Sequence, residues 1–247
     1  MQYKKNMRIG IVILFLFIYA LLYPAETMTF TIEYLGITAA NVSFHHDNER
    51  ITINTSSTKF AGLFASSFDN TYTTTIDSLF LPKVYQKNIQ QSNFIERSVT
   101  VYDFEKLQAI FVDTHNDNKT IYDINNDTRD FFATLYYLRT LDLKQDHSLT
   151  VDAAGKIWII NIKYIKNEQI KSAIGNHQTK KVMATFTPYN NKEKMRSDIF
   201  TNNLVSPDNT LYIWFTDDET QIPVRTQYNM KPFNINWVIQ NREIKDR

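Results

Sequence analysis

The sequence DTRDFFATLYYLR, which runs from Asp127 to Arg139, decides the fold. Its apolar residues recur at i, i+4 and i+7, with a second line beside them, as on the buried face of an amphipathic helix. This face consists of Phe131, Phe132, Leu135, Tyr136 and Leu138. Because about a dozen residues are only marginally helical alone in water, the helix must pack against a large apolar surface.

The ends of this segment carry helix-terminus signals. Asp127 is the predicted N-cap, and Asp130 three residues later is a weak form of the capping-box acid. Arg139 lies where a cation complements the negative end of the helix dipole. The pattern therefore predicts one helix over residues 127–139.

The rest of the chain alternates like β-structure and offers the surface that the helix needs. Short alternating runs, many rich in Thr or Val, are separated by turn formers. The predicted strands cover residues 29–35, 42–44, 51–55, 70–77, 79–82, 95–104, 109–113, 157–164, 180–187, 211–215 and 224–228. Residues 59–65 are predicted as a short helix or a loop that plugs one end of the core. The predicted fold is mainly β, with a curled antiparallel sheet or barrel-like β-structure that wraps one amphipathic helix.

Composition limits the classes of function. The chain is 43% hydrophobic and 14% aromatic, which favours strands and a large core. Lys and Arg number 27 against 26 Asp and Glu, so no basic field exists to hold nucleic acid. The cysteine count is zero, which excludes disulfides, thiol catalysis and Cys-ligated zinc.

The N-terminus resembles an export signal. Basic residues at positions 4, 5 and 8 precede an uncharged apolar run from Ile9 to Leu22, and the first acid is Glu26. We predict that residues 1–25 are a signal peptide or an N-terminal anchor and that residues 26–247 form a single β-rich domain. The expected location is the bacterial periplasm, with membrane contact only through the N-terminal segment if it is uncleaved.

Four sequence segments of the chain resemble a bacterial family known only as a domain of unknown function, number 3108. They are FTIEYLGI at 30–37, DNTYTTTIDSLFLP at 69–82, the helical segment at 127–139, and LYIWFTDDETQIPVR at 211–225. The sequence departs from the family pattern at Ala39 and Ala40, where a Gly is expected, and at Gln221, where an Arg is expected. The resemblance implies an exported, mostly β domain whose curled sheet wraps a helix, with no assigned activity.

Motifs for catalysis, cofactors or metals are not found in the sequence. It contains no nucleophile elbow, zinc motif, phosphate loop or dinucleotide fingerprint, so we expect no catalytic residue, cofactor or metal. His45 and His46 are adjacent on a predicted strand and point to opposite faces, which argues against a shared ion. Asp217 and Asp218 form a possible hydrolytic pair, although adjacent Asp residues are also ordinary turn formers.

The leading functional hypothesis is a non-enzymatic binding or carrier module for an apolar or amphipathic ligand of the cell envelope, such as a lipid or glycolipid. The candidate ligand-binding residues are Phe131, Leu135, Tyr136 and Trp214 as walls, with Arg139 or Arg225 at the mouth. The alternative for the two arginines is pairing with a local acid such as Asp142 or Asp218. The competing function is a protein-interaction or scaffold module with a fully packed core, which would dock on an envelope protein. A hydrolase that uses Asp217 and Asp218 is the third.

Overall fold

The structure of the protein is a computed structural model that describes residues 25–59, 67–92, 94–198, 201, 204–230 and 233–245. The predicted N-terminal segment lies outside these residues except for Ala25, and the predicted plug lies outside them except for Lys59. The extent of the domain, 26–247, stays a prediction.

The described residues form fifteen strands and one α-helix. The first eight strands are β1 (Ala25–Tyr34), β2 (Ile37–Asp47), β3 (Arg50–Ser57), β4 (Phe68–Ile76), β5 (Pro82–Gln91), β6 (Phe94–Asp103), β7 (Gln108–Asp113) and β8 (Asn118–Asp123). The short strand β9 (Arg129–Asp130) leads directly into the helix α1 (Phe131–Leu138). The remaining strands are β10 (His147–Ala153), β11 (Lys156–Ser172), β12 (Gly175–Pro188), β13 (Thr210–Thr216), β14 (Pro223–Met230) and β15 (Phe233–Lys245).

All fifteen strands belong to one sheet, in the order β8 to β1 followed by β15 to β9. Neighbouring strands are antiparallel, except that β9 and β10 pair in parallel. The sheet is therefore two meanders joined where the first strand, β1, pairs with the last, β15. The edge strands of the sheet, β8 and β9, are consecutive in the chain.

This connection between the two edges forces the sheet to curl. Fourteen spacings of about 4.8 Å would separate the edges of a flat sheet by roughly 67 Å. The five residues between Asp123 and Arg129 span at most about 20 Å. The two edges must therefore approach each other, and the sheet becomes barrel-like, as the sequence predicted.

The helix packs inside the curl. On β1, Met28, Phe30 and Ile32 alternate inward and are buried. The ring of Phe132 on α1 lies 6.1 Å from that of Phe44 on β2 and 5.0 Å from that of Tyr72 on β4, between centroids. The predicted mainly β fold with a sheet around one helix is confirmed.

The helix is shorter than predicted and begins with a different cap. Asp130 is the N-cap, and its Oδ1 accepts hydrogen bonds from the backbone N–H groups of Phe132 and Ala133. The prediction of Asp127 as N-cap is wrong because Arg129 and Asp130 pair with β10, which extends the backbone up to the helix. Arg139 is the C-cap, close to its predicted place.

The most deeply buried face of α1 is also displaced from the predicted one. Phe132, Ala133, Thr134, Tyr136 and Leu138 are buried, whereas Phe131 and Leu135 are partly buried against the core. No helix in the described part of the chain is both long and apolar enough to cross a membrane.

Several strand predictions need correction. Residues 79–82, predicted as a strand, form a turn up to Pro82, where β5 begins. Strands β8, β10 and β15 and most of β5 were not predicted. The predicted hairpin between residues 211–215 and 224–228 is present as β13 and β14.

Candidate functional site

The six predicted ligand-binding residues lie in three separate environments. Phe131 and Leu135 border a narrow apolar gap between α1 and the sheet. Tyr136 and Arg139 line a wide cleft at the C-terminal end of α1. Trp214 and Arg225 contact each other on a different face of the sheet. The structure therefore brings the six together only in pairs.

The apolar gap is too small for the predicted acyl chain. It is lined by Phe131, Leu135, Ile213 and Trp237 among others, and its volume is about 50 Å³. Pockets for small molecules typically measure about 300–1,000 Å³. In this conformation the interior beside α1 is packed protein.

Trp214 lies on the opposite face of β13 from the gap. Successive side chains on a strand alternate, so Ile213 faces the gap and Trp214 faces away from it. The ammonium of Lys181 lies 4.5 Å from the centre of the Trp214 ring, and the guanidinium of Arg225 lies 5.2 Å from it. Arg225 also donates to Asn236 at 2.8 Å. These side chains cover the Trp214 ring, which is buried.

The wide cleft, which we call the Glu26 cleft, has a volume of about 640 Å³ and opens to solvent. Strands β1, β2 and β15, the turn before β5 and the end of α1 form its walls. Its polar side chains include Glu26, His46, Tyr136, Arg139 and Arg242 and the further acids Glu49 and Asp77, and its apolar walls include Phe80 and Ile244.

Two arginines hold one carboxylate in this cleft. Arg139 donates through Nη1 and Nη2 to the two oxygens of Glu26, at 2.5 and 3.0 Å, and Arg242 donates through Nε at 2.8 Å. Burial acts to raise the pKa of Glu26, but the bonds and charges of the two arginines outweigh burial and lower that pKa. Glu26 is therefore an anion at neutral pH.

Distant elements place these three residues together. Arg139 caps α1, and its Nε donates to the backbone carbonyl of Thr220 in the turn between β13 and β14. Arg242 reaches Glu26 because β15 pairs with β1. Arg139 pairs with an acid, as the alternative interpretation expected, but that acid is Glu26 and not Asp142 or Asp218.

Two buried polar atoms of the cleft have no hydrogen-bond partner within the described residues. They are Nε2 of His46 and the hydroxyl of Tyr136. The centroids of the two rings are 4.7 Å apart, and both rings lie in the cleft. Burial lowers the pKa of His46, so its imidazole is neutral at neutral pH.

A strained turn places Phe80 over these two rings. Phe80 has a φ of 59°, in the left-handed region that costs free energy for a bulky residue. The carboxylate of Asp77 holds the turn by accepting from the backbone N–H groups of Leu79 and Leu81, each at 2.8 Å. The Phe80 ring stacks on Tyr136 at 6.4 Å and lies 5.8 Å from His46.

A second polar cluster lies in the interior and takes side chains from β5, β6, β8 and β10. Lys87 lies 3.2 Å from Asp198 and 3.7 Å from Glu96, and all three are buried. Asp152 accepts from the hydroxyls of Tyr102 and Tyr122, and the space among these groups is about 20 Å³, room for one water. This network links strands and leaves no room for a ligand.

The remaining candidates have structural partners. Asp218 accepts from the backbone N–H groups of Thr220 and Gln221, so it holds the turn between β13 and β14. Asp217 lies 3.4 Å from both Lys144 and Lys180. No group of three metal-ligating side chains occurs among the residues that the structure describes.

Sequence reasoning missed Glu26, Arg242 and Phe80 and considered His46 only as a metal ligand. The pairing of β1 with β2 sets Glu26 opposite His46, and the pairing with β15 brings Arg242 near. The positions of His46 and Arg242 beside Glu26 therefore follow from the register of the paired strands. An Asp-Ser turn before Phe80 was the only local signal.

The fold and the cleft define a barrel-like, mainly β domain with a two-arginine cleft at the end of its one described helix. The chain belongs to the family described as protein of unknown function (DUF3108), whose model matches residues 29–232. The resemblance seen in the sequence is confirmed. No curated protein matches this chain.

Two solved structures are similar to this chain to different degrees. A beta-barrel-like protein of the domain of unknown function DUF1849 from Brucella abortus is 12% identical, with a TM-score of 0.60, covering 91% of this chain and 98% of that one. A candidate lipoprotein from Parabacteroides distasonis is 12% identical, with a TM-score of 0.35, covering 90% of this chain and 96% of that one. At these identities the similarity to the Brucella protein shows the fold alone.

Proposed function

We propose that the protein is an exported, non-enzymatic binding or carrier module of the bacterial cell envelope, located in the periplasm. Its ligand is an amphipathic anion, a lipid or glycolipid component with a carboxylate or phosphate head. The head binds in the Glu26 cleft, beside Arg139 and Arg242. The export signature of residues 1–25 supports the location.

One observation carries this proposal: within the part of the chain that the structure describes, Tyr136 and His46 each have a polar atom without a hydrogen-bond partner, beside two arginines in an open cleft. A buried polar group without a partner costs about 1–3 kcal/mol. Folded proteins keep few such groups, and each has a physical reason, such as strain, a catalytic role, or a bound water or ion. A ligand oxygen that accepts from Tyr136 or His46 would remove this cost.

The apolar part of the ligand lies against the cleft wall. Phe80 covers His46 and Tyr136, and Ile244 on β15 is 52% exposed. An alkyl chain that covers such surface gains about 0.8 kcal/mol per buried CH₂ group. This location replaces the interior position beside Phe131 and Leu135 that the sequence suggested, because the gap there is too small.

Binding of single-chain amphiphiles tests the proposal. We expect dodecanoate and dodecyl phosphate to bind by titration calorimetry, and dodecyltrimethylammonium not to bind. Arg242→Met should weaken binding of both anions about tenfold, since charge-assisted hydrogen bonds contribute about 1.5–3 kcal/mol. Arg97→Met, which removes an exposed arginine of β6, is the matched control. Equal binding by the Arg242→Met protein, or no anion binding by the wild type, would refute the proposal.

A protein-interaction module is the second candidate, and the packed interior beside α1 favours it. The hairpin of β11 and β12 also extends past its neighbours. Among the described residues, 163–172 and 175–177 pair only within this hairpin. Free backbone edges of this kind are templates for strand addition by a partner.

Photo-crosslinking in cells tests this alternative. A photoreactive residue at Ile165, which is 43% exposed on the hairpin, should form one discrete adduct with an envelope protein. Val101 on β6 is 44% exposed and serves as the matched position. The same pattern of adducts at both positions would argue against docking by the hairpin.

A further inference from the structure

We infer that Glu26 occupies the place of the ligand head group in the ligand-free protein, and that the ligand is therefore a carboxylate-headed amphiphile. This inference rests on the proposed function of the Glu26 cleft. On binding, the ligand carboxylate takes over the two arginines and the side chain of Glu26 swings away. Glu26 thus competes with the ligand and sets its affinity.

The geometry of the two arginines selects a planar head. Arg139 offers two parallel N–H groups, and each meets a different oxygen of the Glu26 carboxylate. This fork matches the spacing of carboxylate oxygens. Arg242 adds a third bond to Oε1, the oxygen that Arg139 Nη2 also contacts. A ligand carboxylate that approaches from the open side of the cleft can accept from the same three N–H groups with its oxygens shifted toward Tyr136.

The charge of the cleft requires an exchange rather than an addition. Arg139 and Arg242 carry two positive charges, and the acids of the cleft lining are Glu26, Glu49 and Asp77. A ligand carboxylate therefore takes the place of Glu26 on the arginines and does not bind beside it. Only the side chain of Glu26 makes these contacts, so a change of rotamer releases it and leaves β1 paired with β2 and β15.

The unpartnered groups favour the ligand over Glu26. Although Glu26 is within electrostatic range of Tyr136 and His46, it bonds to neither the Tyr136 hydroxyl nor His46 Nε2. A carboxylate has about four acceptor positions, and the arginines use three in Glu26. A ligand that enters from the side of Phe80 can give the remaining acceptor position to Tyr136. It then makes one bond more than Glu26 makes.

Removal of the competing charge tests the inference. In Glu26→Gln the arginines have no anionic partner, so we expect dodecanoate to bind about tenfold more tightly than to the wild type. The gain for dodecyl phosphate should be smaller. Glu33→Gln, at the other end of β1, should leave the affinity unchanged.

The outcomes separate the inference from the proposed function. Unchanged or weaker dodecanoate binding by folded Glu26→Gln, with clear binding by the wild type, would overturn the role of Glu26 and leave the cleft as the site. Absence of binding by both proteins would refute the proposed function itself.

A structure of the wild type with dodecanoate gives a second test that does not depend on the stability of a variant. The inference requires the ligand carboxylate on Arg139 and Glu26 turned away from it. Glu26 still bound to Arg139 in that complex would overturn the inference.

Discussion

Tyr136 shows a conflict between stability and binding within one residue. Its ring is 2% exposed and packs against His46 and Phe80, but its hydroxyl has no partner in the described structure. Burial raises the pKa of Tyr136, so the hydroxyl keeps its proton. A hydrogen bond that it donates to an acceptor would stabilise it.

We therefore expect Tyr136→Phe to leave the protein as stable as the wild type, or up to about 1–3 kcal/mol more stable, since it removes a buried unpartnered group. The same change should weaken dodecanoate binding several-fold. Urea unfolding and titration calorimetry measure the two effects. Tyr137→Phe, the neighbouring tyrosine, should not change the affinity. A large loss of stability in Tyr136→Phe would mean that the hydroxyl has a structural partner.

Asp130 and Asp127 give a second contrast at the scale of single residues. Asp130 is fully buried, caps α1 and accepts from the hydroxyl of Thr74 at 2.8 Å. Asp127, the cap that the sequence suggested, lies three residues before the cap that the structure shows.

We expect Asp130→Ala to lower the free energy of unfolding by about 3 kcal/mol, from the lost cap and the lost bond to Thr74. Asp127→Ala should change it by less than about 0.5 kcal/mol. Asp130→Asn keeps an oxygen for the cap, so its loss of unfolding free energy should lie between those of Asp130→Ala and Asp127→Ala. Chemical denaturation of the three variants ranks them, and equal losses at 127 and 130 would contradict the assignment of the cap.

At the scale of elements, α1 presents two apolar lines of unequal depth. Phe132 is 4% exposed and its ring lies between those of Phe44 and Tyr72. Leu135 is only partly buried and borders the apolar gap. The helical period predicted both lines, but the direction of the curl decides which one faces the centre.

We expect Phe132→Ala to cost about 3–5 kcal/mol of stability, in the range of large core truncations. Leu135→Ala should cost about 1–2 kcal/mol, because part of its surface is already unpacked. Thermal and urea unfolding measure both. Similar losses at the two positions would mean that the gap closes around Leu135 in solution.

The strands were predictable to the extent that their inner faces are apolar. On β1 and β11 the alternation is clear, and both were predicted. On β5 the inward residues Tyr85, Lys87 and Ile89 include a buried lysine, so the apolar period is broken. Strand β15 carries Ile235, Trp237 and Ile239 in alternation, a signal that was present and missed.

At the scale of the whole molecule, Asp152 ties distant parts of the curled sheet together. It lies on β10 and accepts from Tyr102 on β6 and Tyr122 on β8, so its contacts cross between the two ends of the sheet. Burial raises the pKa of Asp152 to about 6, against the bonds from the tyrosines, which lower it.

This raised pKa predicts a pH dependence of stability. Between about pH 4 and 6 the folded protein holds a proton on Asp152 that the unfolded chain has lost, so the contribution of Asp152 to stability decreases as the pH rises. The shift corresponds to a contribution of at most about 3 kcal/mol. We compare the free energies of unfolding of the wild type and of Asp152→Asn, measured with urea between pH 4 and 7. As the pH rises, the free energy of the wild type should fall relative to that of the variant by at most about 3 kcal/mol. Parallel curves would contradict the raised pKa.

The sequence by itself determined the class of fold, because strand alternation and helical period are local properties that neighbouring residues express. It also determined the family, since the order of four short sequence segments is fixed by the chain. Only the tertiary structure decided the site. Glu26 meets Arg139 across 113 residues and Arg242 across 216, through the pairing of the first strand with the last and the curl that places α1 inside. The direction in which a side chain faces depends on register and closure, which are set by the packing of the entire sheet.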